Sequence, residues 1–123
     1  MSPVSNAELE VRESGVPDAG LGLFAKRLFK EGEVVCEYTG KVLSLLQALK
    51  ETDKSYMMGG FGLNVHLDAR DCPDSMGRYI NDPLNESKIN VKFVKIREER
   101  KALVIALRDI MVRFGSIPAV GCR

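Results

Sequence analysis

Apolar positions come in short bursts, separated by glycine, proline and charged clusters. Residues 8–13 alternate imperfectly around Leu9 and Val11, which predicts a short strand. Gly15, Pro17, Asp18, Ala19 and Gly20 form a turn cluster. Leu21 to Lys26 is a short apolar run, read as a second strand. Lys30, Glu31, Gly32 and Glu33 make another turn, and Val34 to Tyr38 reads as a strand closed by Thr39 and Gly40. Ser44 with Gln47 three residues on predicts a capping box, whose side chains satisfy N–H groups of a first helical turn. Leu45, Leu46, Ala48 and Leu49 would form the apolar face of that helix, which ends near Thr52 or Asp53.

Beyond the helix, Leu63, Val65 and Leu67 alternate with Asn64, His66 and Asp68, the pattern of a half-buried strand. Residues 69–88 are rich in Asp, Pro, Ser and Asn and read mostly as loop. Ile89 to Ile96 and Ala102 to Ile110 are two β-rich runs that form a hairpin across the charged turn Arg97 to Lys101. Many short strands with one or two short helices predict a mainly β fold, neither a βαβ alternation nor a helical bundle. After Ile110 a turn and another packed element are expected. The chain instead runs through Arg113, Phe114, Gly115, Ser116, Ile117 and Pro118 without such a pattern, so the fold reads as lacking its last strand and closing segment.

Composition narrows the function classes. A chain of 123 residues with 45% apolar and 28% charged residues suits one globular domain, residues 1–123. The 18 basic and 17 acidic residues leave a formal charge of +1. That balance argues against direct nucleic-acid binding and against an anionic membrane surface. The longest apolar run, Ala102 to Leu107, is far short of the ~20 residues of a membrane span. Met1 to Glu10 is polar and acidic, so no secretory signal is expected. Three cysteines (Cys36, Cys72 and Cys122) and a single histidine, His66, argue against a disulfide framework and against a metal site. The compartment expected is a reducing one, cytoplasm or nucleus.

The chemistry-bearing candidates are individually modest. Gly20-Leu21-Gly22 is a GxG that would let backbone approach a ligand, but it is also ordinary turn chemistry before a strand. Tyr38 closes a strand, where a phenol can hold a substrate amine or simply pack. Tyr56 lies in a Ser-Tyr-Met-Met cluster that reads as packing as readily as binding. Asn81 sits in Asn-Asp-Pro, able to read an adenine edge or to cap a turn. His66 reads as a surface histidine, and the run Glu98 to Lys101 as a solvated turn. Cys36 and Cys72 read as plain thiols, since one histidine is not enough to activate both.

Taken in order, GLGLFA, GEVVCEYTG, SYM, LDAR, GRYIND, NVKF and ALRDI resemble the SET domain, the fold of S-adenosylmethionine-dependent protein-lysine methyltransferases. The likeness runs from about residue 9 to 111, with a divergent tail at 112–123. It implies a β-clip-like fold of small sheets and a methyl transfer from S-adenosylmethionine to a lysine of a protein, histones among the candidate substrates. Gly20, Leu21 and Gly22 match the family's cofactor-binding GxG, Tyr56 an aromatic position near the cofactor, and Asn81 the Asn at its adenosine end. Tyr38 matches the catalytic-site Tyr that lines the lysine channel. Asp68 and Arg78 match positions that fix the loop carrying Asn81. No metal is implied, and a nuclear location is the family expectation.

Two departures stand out. Asp82 and Pro83 replace the family's His after the Asn, and Asn90 follows at a wider spacing than in N-H-S-C-x-P-N, more like the PR/SET branch. The family's closing segment carries a further catalytic tyrosine, whereas no tyrosine follows Tyr79 here. Two functional readings follow: a lysine methyltransferase domain, or a non-catalytic protein-interaction module derived from one.

Overall fold

Strand-forming runs too short to make one large sheet make three small ones. The computed structural model describes residues 8–14, 20–112 and 118–122. The turn residues Gly15 to Ala19 and the tail residues Arg113 to Ile117 lie outside these. β1 (Leu9–Glu13) pairs antiparallel with β2 (Leu21–Ala25), Leu9 opposite Ala25 and Glu13 opposite Leu21. β3 (Val34–Tyr38), β7 (Val91–Ile96) and β8 (Lys101–Ala106) form a second antiparallel sheet in the order β3-β8-β7. β4 (Lys41–Leu43), β5 (Met57–Met58) and β6 (His66–Asp68) form the third, in the order β4-β6-β5. The mainly β expectation holds.

Two apolar clusters hold the sheets together. The first joins Leu9 and Leu23 of the first sheet to Val35, Cys36, Val91, Val104 and Ala106 of the second, with Phe29, Ile110 and Val120. Val35 and Cys36 are adjacent yet both buried. A bulge between the pairs Val34–Ile105 and Cys36–Val104 puts an extra β3 residue against β8 and breaks the alternation. The second cluster packs Tyr38, Phe61, Leu67, Ala69 and Ala102 between the second and third sheets.

Several expectations need correction. Helix α1 (Leu45–Lys50) starts at the capping box as predicted, with Gln47 N–H donating to Ser44 Oγ and Ser44 N–H to Gln47 Oε1. It ends at Lys50, earlier than expected, because Glu51 is already extended. Its apolar face is not buried: only Ala48 is, while Leu46 and Leu49 are 62% and 67% exposed. The alternating strand shrinks to His66–Asp68, and Leu63 is 81% exposed. The chain before Val65 instead turns to meet the helix start, where Leu45 N–H donates to Asn64 Oδ1. The second hairpin strand stops at Ala106, and Ile110 pairs with Phe29 in an isolated bridge. Strands β4 and β5 were not foreseen.

Within residues 69–88 two 3₁₀ turns interrupt the loop, Met76–Tyr79 and Glu86–Lys88. No strand follows Ala106 among the described residues, but residues 118–122 run extended along the open edge of β2. Ala25 N–H donates to Pro118 O and Val120 N–H to Leu23 O.

Candidate functional site

The GxG segment and Asn81, sixty residues apart in sequence, meet because the Met76–Tyr79 turn packs against β2. Gly20 has φ of +67°, a conformation open to glycine at little cost. Asn81 Nδ2 donates to the Leu21 carbonyl at 2.9 Å. A Cβ on Gly22 would stand 3.4 Å from that same Nδ2, so glycine lets the amide lie flat on the strand. Gly20, Leu21, Gly22 and Asn81 are thus gathered in one place. Beside them opens a cleft of about 630 Å³, walled by Gly22, Asn81, Asn90, Arg108, Asp109 and the segment 118–121. Asp82, where the family has His, turns away from any such role: its Oδ1 accepts the Leu84 N–H at 2.8 Å, closing a tight turn in which Leu84 has φ of +59°.

Tyr38 and Tyr56 form a second group, outside the lining of that cleft. Tyr38 is 5% exposed, donates its hydroxyl to the Tyr56 carbonyl, and meets Phe93 edge-on with centroids 6.0 Å apart. Burial, then the charge of Asp68, pushes its phenol up to about 12. The phenol therefore stays neutral at physiological pH and works as a hydrogen-bonding group. Arg78 ties the two groups together. Its guanidinium lies over the rings of Tyr56 and Tyr79, at 4.6 and 4.8 Å, and its Nη1 donates to the Ala69 and Arg70 carbonyls at 2.8 Å each. Asp68 Oδ1 accepts the Arg70 N–H at 3.0 Å. This anchoring holds the turn that delivers Asn81.

The remaining candidates are structural. Cys36 is buried and its thiol is pushed up to about 12 by desolvation, then by Glu37, so it is not a nucleophile. His66 is half-buried against Gly59, with its Nδ1 enclosed and unpartnered rather than solvated. Among the described residues no disulfide forms and no group of three metal-ligating side chains gathers. No helix among them is long and apolar enough to cross a membrane.

Sequence reasoning missed Asn90 and the aromatic residues packed with Tyr38 in the second cluster, Phe61 and Phe93. Asn90 was legible only as a spacing from Asn81. Phe93 alternates with Lys92 and Val94 on β7, and nothing local says that it faces Tyr38 across β8.

The cleft suits a cofactor of the size and kind expected. Its volume lies in the usual range of ~300–1,000 Å³ for small-molecule sites. Its lining includes the backbone of Gly22 and the Asn81 carboxamide, groups able to approach and hydrogen-bond a nucleoside.

Comparison with known proteins shows the family. The SET domain family model matches residues 20–113. The variant-silencing SET domain-containing protein of Plasmodium falciparum is 28% identical, covering 84% of this chain and 4% of that protein. The crystal structure of CpSET8 from Cryptosporidium superposes with a TM-score of 0.65 at 20% identity, covering 89% of this chain and 54% of the other. The chain thus spans about half of that solved relative and a small part of the curated one. With most of its length matched, the chain belongs to the SET domain family, whose members in general use S-adenosylmethionine and have protein-lysine methyltransferase-type function.

Proposed function

We propose that this chain binds S-adenosylmethionine in the cleft beside Gly20–Gly22 and Asn81 and orients a protein lysine, a histone lysine among the candidates, toward it at Tyr38. The observation that carries the reading is the Asn81–Leu21 bond, which assembles carboxamide and glycine backbone at the wall of one cleft. The cofactor supplies an electrophilic methyl group when bound. The protein's share is positioning and exclusion of water. Tyr56 lies outside the cleft lining and acts in this reading through its carbonyl, which holds the Tyr38 hydroxyl in place. Tyr38, neutral because it is buried, offers hydrogen bonds to the amine and does not take its proton. The apolar surroundings of Phe61, Leu67 and Ala102 disfavour a charged lysine and so favour the neutral, nucleophilic amine. A histone substrate would put the reaction in the nucleus, with the cytoplasm as the alternative compartment.

Calorimetric titration of the purified chain with S-adenosylmethionine tests this. Saturable binding near one site per chain is the expected result. Absence of binding by a sample that melts cooperatively overturns the reading. Tyr38→Phe should keep cofactor affinity and lower methyl transfer to a histone mixture by ten-fold or more.

A second reading, a non-catalytic interaction module of the same fold, is favoured by the exposed Leu46, Leu49 and Leu63. It predicts cofactor-independent self-association or partner capture, seen by light scattering. Methylation of any protein above a boiled control counts against it.

A further inference from the structure

The segment Pro118–Cys122 belongs to the divergent tail, and the proposed function gave it no task. Its placement is nonetheless tightly specified. Along one side it pairs with β2, through Ala25 N–H to Pro118 O at 3.0 Å and Val120 N–H to Leu23 O at 2.8 Å. Along the other it is clamped by Asn90. The Asn90 side chain donates from Nδ2 to the Ala119 carbonyl and accepts the Gly121 N–H on Oδ1, both at 2.9 Å. The backbone N–H groups of Asn90 and Val91 both donate to the Gly121 carbonyl, and Cys122 N–H donates to the Asn81 carbonyl. Val120 is 2% exposed in the first core cluster, so the segment is a built part of the fold.

Gly121 is needed where this strap passes the 83–88 loop. A Cβ there would stand 3.2 Å from both the Lys88 carbonyl and the Pro83 ring. The strap contributes Pro118, Ala119, Val120 and Gly121 to the cleft lining, alongside the β2 residues Gly22 to Phe24 and next to Asn81. The cleft is open with the strap in place, so the strap is a wall of it and not a plug. Val120 points into the core, whereas Ala119 is exposed. Its methyl is small enough to leave the space clear.

We infer that the strap Pro118–Cys122 forms a ligand-contacting wall of the cofactor cleft, with Ala119 as the contact and Asn90 as the residue that positions it. This rests on the proposed binding of S-adenosylmethionine and adds which residues of this chain set its affinity. A wall of Pro, Ala, Val and Gly has no charge and no hydroxyl, so it takes an apolar or aromatic part of the ligand. The polar side chains of the lining come from outside the strap, Asn81, Asn90, Arg108 and Asp109 among them.

The test is calorimetric titration with S-adenosylmethionine of four full-length chains, unmodified, Ala119→Phe, Asn90→Asp and Asn90→Ala, each with its thermal midpoint. Ala119→Phe fills the cleft without touching the clamp. It should weaken binding at least ten-fold with an unchanged midpoint. Asn90→Asp keeps the acceptor for Gly121 N–H and loses the donor to Ala119 O. With two acceptors then facing each other at Ala119 O, it should weaken binding at least as much as Asn90→Ala, which loses both bonds. If Ala119→Phe binds as tightly as the unmodified chain, the strap is no ligand wall and the inference fails, while the proposed cofactor site stands. If the unmodified chain does not bind, the cofactor reading itself fails. Ala119→Phe keeps the test decisive should Asn90→Ala not fold.

Discussion

Tyr38 is a residue at which packing and chemistry share one side chain. Its ring is buried against Phe93, and its hydroxyl is the partner of the Tyr56 carbonyl. Tyr38→Phe removes one of two bonds to that carbonyl, which keeps the Ala69 N–H at 3.0 Å, so the cost should be about 0.5–1.5 kcal/mol. Urea denaturation should read this loss alongside the predicted loss of methyl transfer. Gly40 is constrained for a different reason: a Cβ there would lie 2.7 Å from the Asp68 carbonyl carbon, in backbone that cannot move without disturbing β4–β6 pairing. Gly40→Ala should therefore destabilise by about 1–3 kcal/mol, although alanine suits most positions better than glycine. Gly20, Tyr38 and Asn81 could each be singled out from the sequence by residue type and neighbours. That Asn81 bonds Leu21 and that Tyr38 bonds Tyr56 could not, because each bond closes across a long stretch of chain.

At the scale of elements, local signals located starts better than faces. Ser44 and Gln47 form the capping box that their spacing predicts, since that bond lies within one helical turn. Ser44→Ala should cost about 1 kcal/mol, with the change confined by hydrogen exchange to α1. The leucines that follow carry no information on what lies beside the helix, and here nothing covers Leu46 or Leu49. Leu49→Lys should accordingly shift stability by no more than about 0.5 kcal/mol, whereas Leu67→Ala, at a fully buried position of β6, should cost about 2–5 kcal/mol. Guanidinium midpoints of the two variants compare them directly. The β7–β8 hairpin was legible because its strands are adjacent in sequence. β4 and β5, three and two residues long, were not, because their pairing with β6 is what makes them strands.

At the scale of the whole molecule, three small sheets rely on two apolar clusters, and one ion pair group pins an edge. Arg27 bridges Glu8 and Glu33, with its guanidinium 3.9 Å over the Phe29 ring. The Arg27 bond holds the Glu33 carboxyl below its ordinary range. A lowered value means that the folded chain binds this proton less readily than the unfolded one. The contribution is therefore complete above the ordinary carboxylate range and fades as pH falls through the lowered value. Both side chains are about one third exposed, so solvent screening limits the contribution to well under 1 kcal/mol. Glu33→Gln should be slightly less stable than the unmodified chain near pH 7, with the difference shrinking as acid protonates Glu33, measured by thermal melts across the acid range.

The sequence by itself determined that this is a mainly β chain with a capped short helix, and its ordered motifs carried the likeness to the SET domain. Those signals depend on neighbours along the chain, on alternation, turn residues and caps, and so survive without a fold. Tertiary structure alone decided which apolar faces are covered, that Asn81 and the glycines wall one cleft, and that Tyr38 and Tyr56 stand apart from it behind Arg78. It also decided the place of residues 118–122, which read as patternless because their order comes from partners elsewhere. β2 supplies one edge and Asn90 the other, and hydrogen bonds to distant backbone leave no periodicity in the segment that receives them.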